Sequence, residues 1–154
     1  MLNYALIGSG IVALTVIIHA MGTVTLTRIT HRMFATTPTA IYAKYPMLSL
    51  VMIVIILLVL HTLQIITWAW AYEIFLPEAA MASFEEAVYF SFVTFTTLGY
   101  GDVTLTQGWR LMSGIQALNG ILLVGWSTAM LFAFIQRLWH GRSLQARADN
   151  SPRR

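Results

Sequence analysis

Three stretches of this chain, residues 4–26, 47–72 and 111–139, are strongly apolar and carry no Lys, Arg, Asp or Glu except close to an end. Each exceeds the ~20 helical residues that cross a hydrocarbon core of about 30 Å. A charge near the centre of such a segment costs ~3 kcal/mol or more, which accounts for where charges are missing. The whole chain is 58% hydrophobic and 10% charged, well below the roughly 25% charged residues of soluble domains. The sequence therefore predicts an all-α membrane protein with three transmembrane helices. Residues 1–27 read as a retained transmembrane helix and not a cleaved signal peptide, because no basic residue precedes the apolar run and no small-x-small site follows it.

The charges that remain set the expected orientation, since Lys and Arg are retained on the cytoplasmic side. Arg28, Arg32 and Lys44 fall in the link at residues 28–46, and Arg137, Arg142, Arg147, Arg153 and Arg154 end the third span or follow it. Between the second and third spans stand Glu73, Glu78, Glu85, Glu86 and Asp102 against Arg110. This predicts an integral protein of the cell (plasma or inner) membrane, with its N-terminus outside and residues 140–154 as a basic cytoplasmic tail. In the link, Thr37-Pro38 has the form of an N-cap and first helical residue, so a short interfacial helix competes with a plain loop. Trp68, Trp70, Tyr72, Trp109 and Trp139 lie near span ends and read as interfacial anchors.

Several functions are disfavoured at the same level. The chain has no cysteine, hence no disulfide framework, thiol nucleophile or cysteine metal cluster. A net charge of +3 is spread along the chain and not gathered into a basic domain, so no nucleic-acid partner is expected. No serine elbow, paired carboxylates or phosphate loop marks an enzyme.

The outer segment between the second and third spans is too apolar in its middle for a solvated loop and too short to cross twice. Ser83-Phe84-Glu85-Glu86 matches a capping box, which predicts a helix over residues 84–96. At 1.5 Å per residue it is about 20 Å long, enough to enter the membrane but not to cross it. Directly after it comes Thr94-Phe95-Thr96-Thr97-Leu98-Gly99-Tyr100-Gly101-Asp102. Non-helical backbone is tolerated at membrane depth only where it is buried in protein or lines a watery cavity. Turning successive carbonyls to one axis needs left-handed angles at alternate residues, which Gly99 and Gly101 adopt without a Cβ penalty.

This nine-residue stretch resembles the pore signature of potassium channels, T-x-x-T-x-G-Y-G-D. The resemblance covers residues 47–139 as outer helix (47–72), re-entrant pore helix (84–96), selectivity-filter loop (97–102) and inner helix (110–139), with the first span as an addition. It implies a homotetramer in the lipid membrane that conducts potassium passively. The carbonyls of Thr97, Leu98, Gly99 and Tyr100 and the Thr97 hydroxyl would coordinate K+. Gly101 and Asp102 would support the filter. Potassium ions would be the cargo, and no organic cofactor is implied. Gly120 stands where the family often has a hinge glycine, and Gly120, Val124, Thr128 and Phe132 recur every four residues on the face that the resemblance turns toward the pore. Where some relatives have a pore-helix glutamate bonded to the filter aspartate, this chain has Val93. A weakly selective cation channel and a non-conducting channel-like regulatory subunit remain the alternatives. His19 and His61 lie inside spans and read as side chains satisfied by neighbouring helices, with proton sensing as the sharper option. Gln64, Gln116 and Asn119 read as hydrogen-bonding links between helices.

Overall fold

A computed structural model describes residues 2–36, 46–76, 81–105 and 109–149. Its four helices are α1 (Leu2–Thr36), α2 (Pro46–Phe75), α3 (Phe84–Phe95) and α4 (Arg110–Asp149), with no strand among the described residues. Leu2–Thr30, Pro46–Phe75 and Arg110–Arg137 are each long and apolar enough to span a bilayer. α3 is a half-length helix held between α2 and α4, and α1 packs along α2 and α4.

Burial divides each long helix into two sides. On α2 the inward residues Ile53, Leu57, Leu60, Gln64, Trp68 and Tyr72 recur at three- and four-residue steps, while Leu58, Val59 and Leu63 face outward. That outward apolar surface is what a lipid-facing helix requires, since hydrocarbon does not penalise it. Around α3, the residues Ile11, Trp68, Tyr72, Phe90, Phe95 and Met112 join one core, and a second core gathers Leu26, Ile53, Leu57 and Phe134 nearer the other end of the bundle.

Two helices run further than the spans predict. α1 continues beyond residue 26 to Thr36, through the first part of the expected link, and α4 continues beyond residue 139 to Asp149, through most of the expected tail. At 35 and 40 residues they measure about 52 and 60 Å at 1.5 Å per residue, so both outreach a ~30 Å hydrocarbon core. Propagating an existing helix costs far less than nucleating one, and no proline or glycine interrupts α1 between Thr23 and Thr36. The Thr37-Pro38 start lies outside the described residues. α2 opens on Pro46, a residue whose missing N–H costs nothing in a first turn.

The anchors need a correction. Trp68 and Tyr72 are fully buried, with the Tyr72 hydroxyl donating to Gln116 Oε1 of α4 at 2.7 Å. Their place near a span end suggested an interfacial belt, but they face the helix bundle. Trp70 and Trp139 do point outward.

Candidate functional site

α3 begins where the capping box places it. The Ser83 hydroxyl accepts from Glu86 N at 3.2 Å, and the Glu86 carboxylate reaches back to the Ala82 amide, one residue before the usual partner. The helix stops at Phe95 with Thr96 as its cap, one residue short of the predicted end. Its stop is built from its own carbonyls: Thr97 N donates to Thr94 O at 3.0 Å, and Leu98 N and Gly99 N both donate to Val93 O at 3.0 and 3.3 Å.

From there the backbone changes hand at each residue. Thr97, Gly99 and Gly101 have φ of 60°, 60° and 80°, and Leu98 and Tyr100 between them are not left-handed. The two glycines follow expectation. Thr97 does not, because a β-branched residue strongly resists this region and the conformation persists only where surrounding bonds over-determine it. The bonds from the Thr97 and Leu98 amides to α3 supply that constraint. Alternation of this kind turns consecutive carbonyls toward the same side, a row of oxygens suited to a dehydrated cation. Among the described residues, no group of three or more His, Asp or Glu side chains is placed to hold a metal.

Asp102 closes the loop. The Tyr89 hydroxyl donates to Asp102 Oδ2 at 2.6 Å. This bond holds the Asp102 carboxyl below its ordinary range and pushes the Tyr89 hydroxyl up. The sequence shows Val93 where some relatives carry the bonding glutamate, and Tyr89 was not foreseen as the partner. Tyr89 lies four residues earlier, one turn along the same helix face, and that spacing was the available signal. Beyond the loop, Leu105 is buried and its carbonyl accepts from Arg110 Nε at 3.2 Å, tying the return of the chain to the start of α4.

The inner helix divides the four residues assigned to one stripe. Gly120 is buried against α3, and a Cβ there would lie 2.0 Å from the Phe95 carbonyl oxygen. Glycine is what lets α4 approach the end of α3 so closely. Val124, Thr128 and Phe132 are exposed. Beside the loop, a cavity of 540 Å³ opens between Tyr89, Thr97, Gly101, Asp102, Ser113 and Gly114.

The interhelical links hold as read. Gln116 Nε2 donates to Ser91 O at 3.3 Å, Asn119 Nδ2 to Thr15 Oγ1 at 2.8 Å, and Gln64 bonds His19 of α1 as well as His61 of its own helix.

A family model described as "Ion channel" matches residues 48–137, which takes in nearly all of α2, α3, the loop after it and the apolar part of α4. No curated protein and no solved structure matches the chain.

Proposed function

The chain belongs to the ion channel family, and from that premise we propose that it is one subunit of a potassium-selective channel with Thr97, Leu98, Gly99 and Tyr100 as its coordinating residues. The observation that carries this reading is the alternation of backbone hand from Thr97 to Gly101, immediately past the end of a capped half-helix. Carbonyls of these residues, with the Thr97 hydroxyl, replace the water shell that a potassium ion sheds on entering. The C-terminal end of α3 adds a partial negative charge that favours a cation at membrane depth.

One chain supplies one such loop, and a ring of carbonyls around an axis needs several. A fourfold homotetramer meets this need, with the cavity beside the loop and the exposed Leu98 and Tyr100 available to neighbouring copies. Val124, Thr128 and Phe132 line the route below the filter, Gly120 permits the inner helix to bend, and a ring of Phe132 side chains closes it by dewetting. The N-terminus lies outside and the end of α4 inside, in keeping with the distribution of Lys and Arg.

The test is ion flux from liposomes holding the purified protein, with potassium and sodium compared at equal gradients. Potassium flux well above sodium flux from a tetramer supports the proposal. Equal fluxes identify a weakly selective cation channel, and no flux from an intact tetramer identifies a non-conducting subunit.

A further inference from the structure

Near the middle of the three span-length helices, four polar side chains close on one another. Gln64 Nε2 of α2 meets His19 Nδ1 of α1 at 2.9 Å, and Gln64 Oε1 meets His61 Nδ1 at 3.1 Å. On the far side, His61 Nε2 meets Ser127 Oγ of α4 at 2.9 Å, and the same oxygen lies 3.5 Å from His19 Nε2. The imidazoles are stacked with centroids 5.4 Å apart, and His19 and Gln64 are fully buried.

Donor and acceptor chemistry closes this into a ring with one consistent direction. The Gln64 amide donates to His19 Nδ1, so His19 carries its proton on Nε2 and donates to Ser127 Oγ. The Ser127 hydroxyl donates to His61 Nε2, so His61 carries its proton on Nδ1 and donates to Gln64 Oε1. Each of the four contacts has one donor and one acceptor, and the second N–H of the Gln64 amide stays outside the ring. Turning over the Gln64 amide reverses every bond and leaves the count unchanged. In either sense both imidazoles are neutral and hold opposite tautomers.

We propose that His19, His61, Gln64 and Ser127 form a one-proton switch, in which the Ser127 hydroxyl of α4 donates to one imidazole and accepts from the other when the ring is neutral, and accepts from both with its own O–H turned away when a proton is added. A proton delivered by hydronium, which leaves as water, gives one imidazole two N–H donors. The four contacts then carry one donor too many. Gln64 can satisfy one imidazole as acceptor and the other as donor, so the conflict falls on Ser127, which faces two imidazole N–H groups. Its oxygen has two lone pairs and accepts from both, so its own O–H must leave the imidazole for another acceptor, and the one-way cycle of bonds is broken at α4.

Nothing nearby compensates the new charge. No Asp, Glu, Lys or Arg stands in residues 4–27 of α1, 47–72 of α2 or 111–136 of α4. From α3 the ring contacting His61 is Phe95, at 5.8 Å, whereas Glu85 and Glu86 occupy the opposite end of that helix. The remaining ring against His19 is Trp126 of α4, at 5.3 Å. Each histidine is therefore the other's titratable neighbour. The switch touches both places where conduction is set under the proposed function: Ser127 adjoins Thr128 on the inner helix, and Phe95 ends the half-helix that carries the filter. Its effect on flux rests on the channel reading, whereas the ring itself does not.

Two measurements on the full chain in liposomes test it between about pH 8 and about pH 4, a range bracketing imidazole titration. In 15N spectra of histidine-labelled protein, His19 and His61 should show opposite tautomers at the upper end and take up one proton per chain in a shared step. Potassium flux should change by roughly fivefold or more across the same range, and Ser127→Ala should remove that change, with Ser127→Thr restoring it. Identical tautomers, two independent protonation steps, a flat flux profile, or the same profile in Ser127→Ala would each overturn the switch. In a protein that passes no cation the channel reading fails, while the tautomers and the shared step still decide the switch.

Discussion

Leu98 and Tyr100 in the loop after α3 are 56% and 67% exposed, whereas His19, Gln64 and Asn119 in the seam between α1 and the other helices are at most 1% exposed. The loop offers backbone oxygens and, among the described residues, is held by its amide bonds to α3 and by the Tyr89 hydroxyl. In and beside the seam, side chains meet side chains within one chain: Thr15 with Asn119, His19 with Gln64, His61 with Ser127. A region built of backbone is sensitive to conformation and indifferent to most side-chain chemistry. The seam has the opposite sensitivity. An intramembrane polar group without a partner is costly, and its partners are specific atoms on other helices.

The largest expected effect comes from the loop. Gly101 sits at φ 80° with nothing within 4 Å of an added Cβ, so space is not the obstacle to Gly101→Ala and backbone hand is. This variant should lose potassium flux in the liposome assay while its thermal midpoint stays close to the parent's. Retained potassium-over-sodium flux would remove the loop from the proposed filter.

Gly120→Ala tests the opposite obstacle, because here the added Cβ collides with a backbone oxygen that cannot swing away. Overpacking of this kind costs ~1–3 kcal/mol. A lower thermal midpoint and a reduced tetramer yield should follow, and an unchanged melt would mean that α3 and α4 part easily.

Phe132 probes a smaller, kinetic effect. Phe132→Ala should raise resting potassium flux several-fold and Phe132→Trp should lower it, at equal tetramer yield. Unchanged flux in both would move the proposed gate to the filter or to another face of α4.

The smallest effect is expected at the loop's own side-chain bond. Because Tyr89 donates to the Asp102 carboxylate, that carboxyl titrates below its ordinary 3.8. The bond therefore supports the loop fully above the ordinary carboxylate range and is lost as pH falls through the lowered value. In Tyr89→Phe the Asp102 titration, followed by 13C spectra of the carboxyl, should move up toward 3.8. A titration that stays where it was would mean that Tyr89 does not set the charge of Asp102.

What could be read from the residues alone was whatever depends on neighbours in sequence. Apolar length placed three spans, Ser83 and Glu86 placed the start of α3, and the two glycines marked where the loop reverses hand, because span length, capping and Cβ sterics act over a few residues. The overruns of α1 and α4 were missed for a related reason: a helix stops at a breaker, and the end of the apolar run is not one. Contacts between helices had no such local signature. Trp68 and Tyr72 looked like interfacial anchors by position, but which face of α2 meets α4 is settled by packing, and Gln116 claims the Tyr72 hydroxyl. Tyr89 as the partner of Asp102, and Phe95 as the reason for Gly120, depend likewise on how one element seats against another. His19 and His61 are 42 residues apart and each reads as an isolated polar residue in a lipid-spanning segment. Only the side-by-side packing of α1, α2 and α4 brings them to one Ser127 hydroxyl, since the hydrogen bonds that join them run between helices.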